Sequence, residues 1–436
     1  MSDATPVEGR NGVAIGTRPA TDGAGYRTYE VYQRERVGQS TEKIKPVHLT
    51  SEAYRQDPYP LLAILREHYP CYRDWLSNAY WISRYDDVTS VLADDANFET
   101  RPARWFAGLM EIGDDFGGEL AVLQVEERVA DQQVEQIAAG LAQAVNESGN
   151  LIRDFAARLP LELLAEELNL PAEQREAFYG LYWSAQRATS WVPHLQQAGQ
   201  TAAQELIAQL QPLVDARRAA PGEDLISAVL ASGGRDAGDV VATLLERDHE
   251  TLHGALANLW YQLAQSAEIY SACRDDARLM KVAYLETLRH STPVLSARRF
   301  ARHEVERFGR LIPEGALLLC SAAAANRDAR VFSEPDRFVL DRSDLCQREA
   351  RGQYRADGLA SGIAYGFGKP TRHPAIPEDR PRSRYAIARD TAVRASMLLA
   401  SRCEELAVVE AAPPSSLSVG EMHACWRLLI QPGSVS

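Results

Sequence analysis

The stretch His249-Glu250-Thr251-Leu252-His253 spells HExxH. On a helix this places two imidazoles on one face for zinc, with the glutamate as base. No convincing third ligand motif follows it. Asp248, just before, falls on the apolar stripe Val241, Leu245, Leu252, Leu256, Leu259 and Leu263, whose 3–4 residue spacing predicts one helix. A carboxylate facing that interior needs a cation or a raised pKa. Asp248, His249 and Glu250 are therefore the candidate acid–base residues. Glu286 and Arg289 lie one helical turn apart and can face the same side. Arg337, in the otherwise apolar Asp336-Arg337-Phe338 context, calls for a carboxylate, because a buried charge is costly unless paired. A run of arginines, Arg372, Arg380, Arg382, Arg384, Arg389 and Arg394, reads as a solvated loop and helix start or as an anion or partner site.

The elements that must position these residues are mostly helices. Residues 119–215 are rich in Ala, Leu, Glu and Gln and poor in β-branched residues, which favours helix. The alternation around Tyr80-Trp81-Ile82 predicts a strand, and Asp86-Asp87 starts a helix over Val88–Ala93. Breaks fall at Pro221-Gly222 and Gly233-Gly234. Residues 300–340 read as short strands and turns, and 366–384 as a loop with Pro370, Pro374, Pro377 and Pro381. Residues 1–45 have no apolar period and read as a flexible tail. The expectation is that tail followed by a single domain over 46–436, mainly α with a minor β portion.

Composition bounds the function. The 436 residues are 45% hydrophobic and 25% charged, an ordinary globular mix. With 47 Lys+Arg against 60 Asp+Glu the net charge is −13, which disfavours nucleic acid and anionic membranes as partners. The six cysteines are scattered, with no CxxC pair, and read as reduced thiols. The start lacks the apolar core of a signal peptide. Ala316–Ala325, the best apolar run, has about half the ~20 residues that a membrane span needs. A cytoplasmic protein is expected.

Four stretches, in order, resemble the cytochrome P-450 family. They are Asp57-Pro58-Tyr59-Pro60 with Trp81–Val88 and Leu92-Ala93-Asp94; the ExxR of Glu286–Arg289; Ala325-Asn326-Arg327-Asp328 through Val331-Phe332 to Glu334–Phe338; and Tyr365-Gly366-Phe367-Gly368, like the start of the haem loop. The resemblance covers roughly residues 50–436 and implies the family's helix-rich triangular prism, with Glu286, Arg289 and Arg337 as a structural clamp.

The same resemblance shows where this chain departs from the pattern. The family's iron is held by a cysteine thiolate. Here Arg372, counted from the left of the loop, or Arg382, counted back from Ile387-Ala388-Arg389, stands at the cysteine register. A guanidinium cannot be deprotonated to ligate iron. His373 is the substitute ligand to weigh. The family's helical propionate contacts align with Arg128 and Gln132, while Arg299 matches a later propionate arginine as a relict contact. The oxygen-activating pattern aligns with Arg247-Asp248-His249-Glu250-Thr251, which keeps the acid–alcohol pair Glu250–Thr251 and replaces the small residues that admit dioxygen. This alignment also accounts for His249-Glu250-Thr251, leaving only His253 of the zinc look-alike to coincidence.

From this the sequence-based expectation is a haem-less member with no cofactor, no metal and no catalytic residue. The resemblance is to the P-450-like auxiliary proteins of deoxysugar glycosyltransferases in bacterial macrolide and anthracycline pathways. It implies a partner glycosyltransferase of an antibiotic pathway, bound as a hetero-oligomer and stabilised in its active conformation. The alternatives are a monooxygenase with an aberrant haem site, or a haem-less acid–base enzyme using Asp248, His249 or Glu250.

Overall fold

The computed structural model describes residues 7–8, 14–15, 44–75, 77–101, 106–109, 119–190, 192–247, 249–346, 360–363, 382–418 and 422–435. The chain groups into two compact units, one of residues 1–101 and 294–374, the other of 102–293 and 375–436.

The first unit is built on a five-stranded sheet: β1 (Cys71–Asp74), β2 (Ala79–Ile82), β3 (Phe98–Glu99), β4 (Ala297–Ala301) and β5 (Leu317–Cys320). Its strand order is β1-β2-β5-β4-β3. The β2–β5 pair is parallel, with Tyr80 opposite Leu318, and the other pairs are antiparallel. The alternation at Tyr80-Trp81-Ile82 sends Tyr80 and Ile82 into one apolar cluster, with Tyr85, Val88, Phe98, Leu318 and Phe332. Trp81 goes to the other face, with Tyr54, Leu62 and Leu65. This is the period-two geometry of a strand buried on both sides. The helix Tyr85–Leu92 packs on the sheet through Tyr85, whose ring meets Phe332 edge-on at 5.6 Å.

The second unit is helical: α1 (Glu119–Ser148), α2 (Arg158–Glu167), α3 (Ala172–Gln186), α4 (Ala237–Leu245), α5 (His249–Ala264), α6 (Ala277–His290) and α7 (Arg384–Ser401), with further helices at Pro193–Ala219, Leu225–Ala231 and Ala267–Asp275. In α1 the buried residues Val122, Val125, Val129, Val134, Ala138, Leu141 and Val145 recur at helical spacing. Caps set several starts. Asp236 accepts from the backbone N–H of Gly238 at α4, Asp276 from that of Arg278 at α6, and Ser383 from that of Ala386 at α7. Asn258 of α5 is fully buried and satisfied. Its Nδ2 donates to the carbonyls of Ser291 (2.7 Å) and His423 (3.0 Å), and its Oδ1 accepts from the Cys425 N–H (2.9 Å).

The apolar stripe through 241–263 predicts one continuous helix, and here the structure differs. The helix stops at Leu245 and resumes at His249. At the stop, the N–H groups of Glu246 and Arg247 donate three residues back, to Thr243 and Leu244, the tightened end of a terminating helix. Among the described residues no helix is long and apolar enough to cross a membrane.

Candidate functional site

Arg247 lies in the joint between α4 and α5, and its side chain is buried to 3% exposure. A guanidinium there must be paired. Its Nε lies 2.9 Å from Glu126 of α1, and its Nη2 lies 2.5 Å from Glu167 at the end of α2; both carboxylates are about as buried. Glu126 also receives Nε of Arg384, the first residue of α7, at 3.3 Å. One charge cluster therefore ties the joint to α1, α2 and α7. Burial pushes the Glu167 carboxyl up to about 7; Arg247 pulls it down and Glu126 pushes it further up. The two carboxylates raise the Arg247 pKa above its ordinary value despite burial.

A second set of ion pairs continues along α1 and α7. Glu127, Asp131 and Glu135 recur every four residues and so share one face of α1. Arg382 reaches Glu127 at 2.7 Å, Asp131 at 2.6 Å and Asp390 at 2.8 Å. Arg394 reaches Asp131 at 3.2 Å and Glu135 at 3.1 Å. The carboxylates around Arg382 raise its pKa well above its ordinary value. These groups are about a quarter to two thirds exposed, so the ladder is screened by solvent and salt.

The other candidates fall as follows. Glu286 and Arg289 of α6 form a two-pronged pair at 2.8 and 2.7 Å and are fully buried. Arg337 is not in a comparable setting. Its side chain is 65% exposed and pairs with Glu334, three residues earlier, so the argument from buried charge does not apply to it. Thr251 is buried. Asp248 and the side chains of His249 and Glu250 lie outside the described residues, as do Arg372 and His373. His253 is buried and its ring faces aromatic neighbours, Trp183 at 5.3 Å and Trp426 at 5.9 Å. Among the described residues no three His, Cys, Asp or Glu side chains gather as a metal site would require.

Arg128 and Gln132 line an open polar cleft of about 340 Å³ with Gln133, Asn169 and Arg217. There Arg128 donates to the Glu223 backbone carbonyl. The sequence reading passed over Glu126, Glu127, Asp131, Glu135 and Glu167. The four-residue spacing of Glu127, Asp131 and Glu135 was a usable signal. Glu126, between buried Val125 and Val129, was another.

In the first unit, Arg299 of β4 stands out. It is partly buried, its Nη1 donates to the Arg298 carbonyl at 2.8 Å, and among the described residues its buried Nε finds no hydrogen-bond partner. Burial lowers its pKa below the ordinary value. A cation so placed suits an incoming carboxylate.

No protein-family model matches the chain. Among curated proteins, it is 29% identical over 339 residues to cyclomarin C epoxidase CymV of Salinispora arenicola, covering 70% of this chain and 82% of that one. It is 27% identical to 6-deoxyerythronolide B hydroxylase of Saccharopolyspora erythraea, covering 74% and 86%. Cytochrome P450 monooxygenase PikC of Streptomyces venezuelae is 29% identical, covering 66% and 76%. Among solved structures, ligand-free cytochrome P450 TbtJ1 superposes with a TM-score of 0.69 at 22% identity, over 90% of this chain and 100% of that one. Open cytochrome P450 EryK of S. erythraea gives 0.67 at 23%, over 86% and 95%.

These relatives correct the expectation that the chain carries no cofactor: proteins named as cytochrome P450 enzymes point to haem. Tested against that group, Arg299 fits the carboxylate end of a haem, because its Nε is buried and has no partner among the described residues. A thiolate on the iron does not fit the loop before α7, since no cysteine stands between Cys346 and Cys403 in any register. Residues 364–381 of that loop lie outside the described ones.

Proposed function

The chain has the fold of the cytochrome P450 superfamily, and from that premise we propose that it serves as an auxiliary subunit, binding a glycosyltransferase of an antibiotic pathway and holding it in its active conformation. The observation that carries this reading is Arg247. In the resemblance, this position belongs to the small residues that make room for dioxygen. Here it holds a buried guanidinium fixed by Glu126 and Glu167. A loop without a cysteine supports the same reading, because thiolate donation is what favours O–O cleavage in the family. The work of such a subunit is differential affinity: it shifts the partner toward the active state by as much as it prefers that state.

A second reading is favoured by Arg299 and by the relatives' names: a monooxygenase with altered iron ligation. When bound, haem would supply oxygen activation, and Arg299 would hold a propionate. Co-expression separates the two readings. A pathway glycosyltransferase expressed with this chain is expected to co-purify with it and to transfer sugar, while the same enzyme expressed alone is inactive. If the transferase is equally active alone, and the purified chain oxidises a macrolide when given dioxygen and reductant, the auxiliary reading is overturned.

A further inference from the structure

The cleft beside Arg128 holds about 340 Å³, at the lower end of the ~300–1,000 Å³ of small-molecule sites. It is lined by α1, the end of α2, the end of the helix Pro193–Ala219 and the loop before Leu225–Ala231, and by no residue of α4 or α5. Its walls are fixed from behind. In the loop, Asp224 accepts from the Ser227 N–H at 2.9 Å, the Gly222 N–H donates to Ser227 Oγ at 2.9 Å, and Arg217 Nε donates to the Asp224 carboxylate. At the end of α2, Arg175 holds Glu166 at 2.8 Å. Asn169 there has a left-handed φ of 50°, and its N–H donates to the Glu166 carbonyl at 3.0 Å.

The groups that face the space are open by contrast. Among the described residues, the side-chain amides of Gln132, Gln133 and Asn169 and both Nη atoms of Arg217 have no hydrogen-bond partner. Gln132 follows Arg128 by four residues on α1, so the two share a face. Charge is balanced around them, since Glu166 pairs with Arg175, Asp224 with Arg217, and Glu223 lies 4.0 Å from Arg128. A phosphate or an ammonium therefore meets as much repulsion as attraction. Val129 and Ala220 are the only apolar side chains among the lining residues, too few to hold a greasy ligand. An amide offers a donor and an acceptor together, and so does a hydroxyl.

We propose that this cleft binds a neutral sugar ring through its hydroxyls, with Gln132, Gln133, Asn169 and Arg217 as the hydrogen-bonding residues. Such binding is a property of this chain alone and needs no glycosyltransferase, so its failure and that of the auxiliary role are distinguishable.

The test is a ligand-observed saturation-transfer NMR titration of the full chain with methyl α-D-glucoside and with methyl α-L-rhamnoside. At least one is expected to bind saturably and to resist displacement by inorganic phosphate. Gln132→Ala combined with Asn169→Gly removes two exposed amides, and glycine keeps the left-handed turn. That variant should bind about tenfold more weakly, the loss that one to two hydrogen bonds supply. Gln143→Ala, an exposed amide of α1 outside the cleft that pairs with Glu147, should bind as the parent does. No saturable binding of either glycoside up to its solubility limit, displacement by phosphate, or an equal loss in Gln143→Ala overturns the proposal. So does parental affinity in the double variant or, if that variant does not fold, in Gln132→Ala alone.

Discussion

Replacing Arg247 with leucine removes the only guanidinium that touches both Glu126 and Glu167 among the described contacts. Two carboxylates, each about 5% exposed, then face each other with Arg384 as the remaining close cation, at 3.3 Å from Glu126. Breaking a buried pair from one side costs about 3–5 kcal/mol. At roughly 2–4 °C per kcal/mol for units of a few hundred residues, the midpoint should fall by on the order of 10 °C. The deficit should depend on pH, and its sign is fixed. Glu167 already sits near 7 in the folded chain, above the ~4.3 of a free glutamate. The folded state therefore binds more protons between those values, and stability from this group falls as pH rises through that window and levels off above it. Without Arg247 the carboxyl rises further, so Arg247→Leu should lose more at pH 8 than at pH 5.5. Thermal unfolding followed by circular dichroism at both pH values reads this. Adding Glu126→Gln and Glu167→Gln to the leucine variant should recover most of the loss, since a neutral buried cluster can replace an ionic one at little cost. An Arg247→Leu variant that melts with the parent at pH 8, or whose deficit is the same at both pH values, would refute the reasoning.

Two further predictions concern the other ion pairs. Arg289→Ala removes the guanidinium that grips the fully buried Glu286 carboxylate, so it should cost about 3–5 kcal/mol and show as loss of soluble protein or a large fall in melting temperature. Arg382→Ala removes contacts to Glu127, Asp131 and Asp390 in a partly solvated ladder. It should cost only about 1 kcal/mol, and the difference from the parent should shrink in 1 M salt, where the Debye length is about 3 Å.

Much of the fold was legible from local pattern. The alternation at Tyr80–Ile82 yields a strand whose faces enter two apolar clusters. The i,i+3 spacing of Glu286 and Arg289 yields a buried pair. What could not be read was long-range. The Val241–Leu263 stripe is periodic enough for one helix, and nothing nearby in sequence announces that Arg247 will be drawn to carboxylates contributed by α1 and α2. Asp248 attracted attention because it falls on the stripe, yet the buried carboxylates of the cluster are Glu126 and Glu167. Arg337 read as a buried charge from its apolar neighbours, but the turn around Glu334 turns it to the surface. The cofactor expectation was drawn from the missing loop cysteine, from Arg128 and Gln132 at the propionate positions and from Arg247 and Asp248 in the dioxygen groove. A missing cysteine speaks to the iron's ligand and not to the whole group, and the relatives point the other way.

The most direct measurement is the initial rate of sugar transfer by the purified pathway glycosyltransferase as this chain is added. The account predicts a rate that rises from near zero and saturates at a fixed ratio of the two proteins, with bound partner and activity rising together. A rate that does not change over the whole titration would contradict it.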